Sequence, residues 1–88
     1  MELILEHLQL VIQGAPPIAL TPTEMQILLL LFNHVGHVVE RDKFVHALWQ
    51  EQTSNVLDVF IRRIRRKLGS MGKCIVSVRG IGYSLQIT

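Results

Sequence analysis

One cysteine, Cys74, stands among the 88 residues, so the chain can form neither an internal disulfide nor a multi-cysteine zinc site. It reads as a small apolar residue in a strand. No run of 18 or more apolar residues occurs, which argues against a membrane-spanning helix. The first residues also lack the basic stretch, apolar segment and small-residue cleavage site of a secretory signal, so a cytoplasmic location is expected. No phosphate-cradling glycine loop, activated nucleophile or working carboxylate pair is visible, and no enzyme activity is expected. His34, His37 and Glu40 are spaced like metal ligands, but they straddle Gly36 at a helix end and share no helical face; no metal or cofactor is expected.

The most telling absence is of acids after Asp58. Residues 59 to 88 carry seven cations (Arg62, Arg63, Arg65, Arg66, Lys67, Lys73 and Arg79) and no acid, whereas residues 1 to 58 carry seven acids against Arg41 and Lys43. The net charge of +2 therefore conceals a polarised molecule. Such polarity suits a domain that must meet a polyanion in one orientation. A chain of this size buries only about 60 to 65% of its unfolded surface, which fits one small-cored domain spanning residues 1 to 88.

Most of that positive charge lies in the segment from Ser54 to Gly69. Residues about 100° apart on a helical wheel place Leu57, Ile61, Ile64 and Leu68 on one stripe, with Asn55, Val59, Arg62 and Arg66 opposite and Arg63, Lys67 and Arg65 flanking them. Five cations thus leave one helix. Burying unpaired guanidinium groups costs several kcal/mol each, so the outer face must meet water or a polyanion.

The rest of the chain reads as a frame for this helix. Residues 3 to 12 mix short apolar runs and suit one or two strands joined near Glu6 and His7. Pro16 and Pro17 favour extended backbone, and Ile18 to Leu20 can add another strand, giving a small antiparallel sheet. Thr21-Pro22-Thr23-Glu24 is a helix start with a threonine cap, a proline at the first position and a glutamate that reaches back. The helix should run to about His34, apolar nearly all round and hence central, with Gly36 as its stop. A second helix is expected from Arg41 to Trp49, capped by Glu40. Gln50 to Thr53 then make a short turn into the basic helix, which Ser54 or Asn55 can cap and whose dipole Asp58 suits. After a loop at Ser70 to Gly72, Cys74 to Val78 and Tyr83 to Ile87 alternate as a β-hairpin with Arg79-Gly80-Ile81-Gly82 at its tip. The order spells an α+β winged helix-turn-helix: an N-terminal antiparallel β-sheet, three helices and a C-terminal β-hairpin wing.

Leu20 to Glu24, Leu48-Trp49, Leu57 to Leu68 and Val78 to Leu85 together resemble the DNA-binding effector domain of OmpR/PhoB-type response regulators. The resemblance covers nearly the whole chain. It implies a four-stranded N-terminal sheet and transcriptional control through double-stranded DNA, with two copies head to tail on direct repeats. It also implies a phosphorelay, in which a receiver domain precedes this one in the full-length protein. The helix 54–69 would lie in the major groove and the wing 77–83 at the minor groove. Val59 and Arg63 match base-reading positions; an arginine can pair bidentately with guanine and a valine can pack on a thymine methyl. Arg62, Arg65 and Asn55 match phosphate-holding positions, and the wheel adds Arg66. Arg79 matches an arginine inserted into the minor groove, and Gly80 lets the backbone approach closely. Ser77 and Tyr83 offer hydroxyls to phosphates, or serve as a strand residue and a core-edge ring. Trp49 offers an indole N–H, or packs under the turn.

Two features depart from the family pattern. Phe60 replaces histidine or another polar residue, either extending the core or packing on the DNA. The turn at residues 50–54 is short where relatives often contact RNA polymerase, which puts that contact in question. Rival readings are a winged helix that binds an acidic protein, and the DNA-binding part of a membrane-linked one-component regulator. Arg79 at the wing tip would have no evident purpose in the first.

Overall fold

The computed structural model describes residues 2–48 and 55–87, and of Asn55 the backbone alone. Strand β1 (Glu2–Ile4) turns through a 3-10 segment (Leu5–His7) into β2 (Gln9–Val11), which pairs with the short β3 (Ile18–Ala19). The break read at Glu6 and His7 is this turn. All pairings are antiparallel, in the order β1-β2-β3, and their register places Leu3, Leu10 and Ile18 in one row. Leu10, at the centre of that row, is fully buried. The described residues thus hold three N-terminal strands, where the family resemblance implied four. Between β2 and β3 lie a tight turn, in which the Ala15 amide donates to the Ile12 carbonyl at 3.0 Å, and two prolines that have no amide to give a ladder.

Helix α1 (Pro22–Asn33) begins as its sequence dictates. The Glu24 amide donates to Thr21 Oγ1 at 3.2 Å and the Thr21 amide to Glu24 Oε1 at 2.8 Å, satisfying two otherwise orphaned donors. Met25, Ile27, Leu28 and Leu31 are buried, with Leu29, Leu30 and Phe32 half-buried around them. The helix closes at His34, whose Nδ1 lies 2.9 Å from the Leu30 carbonyl oxygen. Strand β4 (Val38–Glu40) then leads directly into α2 (Arg41–Leu48), which buries Phe44. Trp49, the turn at residues 50–54 and the Ser54 cap lie outside the described residues.

Helix α3 (Asn55–Leu68) is followed by a 3-10 turn (Gly69–Cys74), β5 (Ile75–Val78) and β6 (Gly82–Leu85). Two expectations are corrected here. The segment read as a loop at Ser70 to Gly72 is helical, and Cys74 ends that turn instead of opening a strand. Gly72 permits this, since a Cβ there would sit 2.6 Å from the Arg65 carbonyl oxygen of α3. The hairpin is also the larger part of a three-stranded sheet, ordered β4-β6-β5. Val39 opposes Tyr83 and Glu40 opposes Gly82, where any side chain would strike the Val39 carbonyl. That close approach seats the wing against the start of α2.

Candidate nucleic-acid interface

Helix α3 is divided as its wheel foretold. Leu57, Ile61, Ile64 and Leu68 are buried in one core cluster with α1 and β6 residues such as Leu28 and Leu85. Val59, at 43% exposure, and Arg62, Arg63 and Arg66 face solvent. Among the described residues, Arg62, Arg66 and Arg79 form no hydrogen bond or ion pair, and the Arg63 guanidinium lies 5.6 Å from the Phe60 ring centroid.

The other two cations turn inward, contrary to the reading that all five leave the helix together. Arg65 donates through Nε (3.1 Å) and Nη2 (2.6 Å) to the Ile75 carbonyl, and through Nη2 to Ser77 Oγ at 2.9 Å. It is a strut from α3 to β5. Lys67 donates to Glu24 Oε1 at 2.6 Å and to the Ala19 carbonyl at 3.1 Å, tying the end of α3 to the capped start of α1. Burial pushes the Glu24 carboxyl pKa upward, but the Lys67 ammonium and the Thr21 amide outweigh it and hold the pKa below its ordinary value.

The first turn of α3 is fastened by Asp58. Arg41 Nη2 donates to Asp58 Oδ2 at 2.7 Å and the Tyr83 hydroxyl donates to Asp58 Oδ1. The Arg41 and Arg65 guanidinium groups stand 5.8 and 5.7 Å from the Tyr83 ring centroid, and Phe44 meets that ring edge-on at 82°. The Arg41 hydrogen bond, with help from Tyr83, lowers the Asp58 pKa. Burial, then the bond to the Asp58 carboxylate, raises that of Tyr83. Tyr83 is only 6% exposed and its proton is committed to Asp58, which favours the core-edge ring of the two readings.

The same contacts set the wing beside the helix. The Arg41 amide donates to the Ile81 carbonyl at 3.1 Å, and the Ile81 amide to the Val78 carbonyl at 2.9 Å, closing a turn that exposes Arg79, Gly80 and Ile81. Gly80 has φ +79°, a left-handed conformation that suits glycine. Ser77 is exposed and accepts from Arg65, keeping its own proton to donate. Of the candidate contact residues, Val59, Arg62, Arg63, Arg66, Ser77, Arg79 and Gly80 lie at the surface. Arg65 is half-buried and Tyr83 buried, while Trp49 and the Asn55 side chain lie outside the described residues. Sequence reading missed the Arg41–Asp58 pair. Its signal was a lone acid in the first turn of a basic helix.

Residues 14–85 match the family model described as "Transcriptional regulatory protein, C terminal". The chain is 43% identical over 72 residues to the response regulator ArlR of Staphylococcus saprophyticus, covering 76% of this chain and 33% of that protein. It thus spans about a third of the length of the relatives it matches. The C-terminal domain of the nisin resistance regulator NsrR superposes with a TM-score of 0.82 at 34% identity, over 99% of this chain and 92% of that one. The DNA-binding domain of Bacillus subtilis CssR gives 0.81 at 26% identity, over 96% and 97%. On these matches the chain belongs to the C-terminal transcriptional regulatory domains, the effector domains of OmpR/PhoB-type response regulators.

Proposed function

We propose that the domain binds double-stranded DNA sequence-specifically and regulates transcription as the output domain of a response regulator. The observation that carries this is one surface: Val59, Arg62, Arg63 and Arg66 outward on α3, with the Arg79–Gly80 turn pinned beside its first turn through Arg41. With α3 in the major groove, Arg63 reads a guanine edge and Val59 packs on a thymine methyl. Arg62, Arg66, Ser77 and the Asn55 end of the helix hold phosphates. Arg65 keeps only Nη1 for that purpose, its other donors being engaged within the protein. Arg79 enters the adjacent minor groove, where narrow A·T tracts concentrate negative potential.

By family analogy two copies sit head to tail on direct repeats, a receiver domain and phosphorelay control their pairing, and the protein works in the cytoplasm. Direct contact with RNA polymerase is not part of this reading, because residues 50–54 make a shorter connection than the one through which relatives often meet it. The role is one of binding, with no catalytic step.

The test is to select bound duplexes from genomic fragments and titrate salt. Log affinity should fall by about 0.9 per phosphate neutralised, giving a slope of roughly −4.5 to −6 for about five to seven contacts. Arg63→Ala should relax sequence preference, while Arg62→Ala weakens all duplexes alike and flattens the slope by about one unit. A salt-independent affinity, or preference for an acidic protein over random duplex, would overturn the reading.

A further inference from the structure

Phe60 sits on α3 between the exposed Val59 and the buried Ile61, half-buried and packed against the core cluster. Three residues on, the Arg63 guanidinium lies 5.6 Å from its ring centroid, within cation–π range. Residues three apart on a helix are neighbours, so this contact follows from the spacing. Among the described residues no ring lies under Arg62 or Arg66, which are also exposed. One outward arginine of three therefore has a platform. Because the ring packs on the core, the platform is fixed, and a guanidinium over it keeps its edge N–H groups free to donate. Bidentate recognition of a base edge needs that orientation, whereas a phosphate tolerates a mobile point charge.

We propose that Phe60 is a specificity-determining positioning residue, whose core-anchored ring holds the Arg63 guanidinium in the orientation that reads a base edge. The inference rests on Arg63 being a base reader, and its test separates the two ideas. Affinities of the chain for a selected duplex and a scrambled one are measured for wild type, Phe60→Leu, Phe60→Tyr, Arg63→Ala and the Phe60→Leu/Arg63→Ala double variant. Phe60→Leu should lower the selected-to-scrambled ratio about two- to fivefold, the size of an exposed cation–π contact. Its affinity for scrambled duplex and its salt slope should not move, since every charge remains. Phe60→Tyr should restore the ratio, and Phe60→Leu should add nothing once Arg63 is alanine.

Persistence of the full Phe60→Leu loss in the Arg63→Ala background would mean that the ring touches DNA itself, and overturns the proposal. So would a wild-type ratio for Phe60→Leu when Arg63→Ala lowers it. An unchanged ratio for Arg63→Ala removes base reading by Arg63 and this inference together. A measurement on the unaltered protein guards against misfolding of the variant: the Arg63 side-chain protons should show an upfield ring-current shift by NMR. Its absence sinks the proposal without any substitution.

Discussion

Arg65 and Lys67 lie on the same helix as Arg62, Arg63 and Arg66, one or two positions away, and do different work. The first pair ends on a carbonyl, a serine hydroxyl and a carboxylate of neighbouring elements. The second set ends in solvent, or over a ring. A wheel records direction but not what stands there, and this is why the inward pair was read as part of the charged face. Charge on α3 is thus of two kinds, one that builds the frame and one that is left to face outward. Substitutions can sort them, because the first should alter stability and the second affinity.

The largest effect belongs to the outward set. Removing Arg62 and Arg66 together by alanine should weaken binding to any duplex by roughly a hundredfold at moderate salt, at about tenfold per lost contact. The melting temperature should stay within about 2 °C, since exposed unpaired side chains carry little stability. Calorimetry and a mobility-shift titration on the same sample check both halves. Next, Arg65→Ala should cost about 2 kcal/mol, as the Ile75 carbonyl loses a charged donor, and lower the melting temperature by about 10 °C. Affinity measured well below that temperature should fall by much less than in the outward pair.

Glu24→Ala removes the acceptor of the Thr21 amide, half of the capping box, together with the partner of Lys67. Glu24 is 2% exposed but Lys67 36%, so water partly rescues the lysine and the loss should be about 1 to 2 kcal/mol, read by denaturant midpoint. The pH dependence carries a smaller signature. Asp58 and Glu24 have lowered folded pKa values, so their stabilisation is present above the ordinary carboxylate range and fades as pH drops below about 4. Tyr83 is raised, so its contribution holds below about pH 10 and is lost as pH climbs beyond. Melting curves across pH should show both shoulders, and Tyr83→Phe should erase the alkaline one. The smallest effect is Val59→Ala, about two- to threefold in sequence preference with unchanged stability.

Much of this architecture was written locally. Thr21-Pro22-Thr23-Glu24 specifies the start of α1 within four residues, and Leu57, Ile61, Ile64 and Leu68 specify both the existence and the buried side of α3. The hairpin tip followed from its glycines. What escaped was non-local. Val39 opposite Tyr83, Lys67 on Glu24 and Arg41 on Asp58 join residues 17 to 44 positions apart, and no short-range pattern marks them. The Gly69–Cys74 turn was misread because glycine and serine there suggest a loop, whereas packing against the Arg65 carbonyl makes it helical. The surface arginines were legible because exposure is a local consequence of the wheel. The interior role of Tyr83 was not, because it depends on a carboxylate 25 positions earlier.

Strand β6 has a neighbour on either edge, and its turn is laced to α2 by the Arg41 amide. The spacing between the wing and α3 is therefore set by the same contacts that close the core. On the proposed reading, a duplex whose two grooves present themselves at some other separation must itself twist or bend to be gripped. The stiffness of the DNA then enters its affinity at base pairs that no side chain touches.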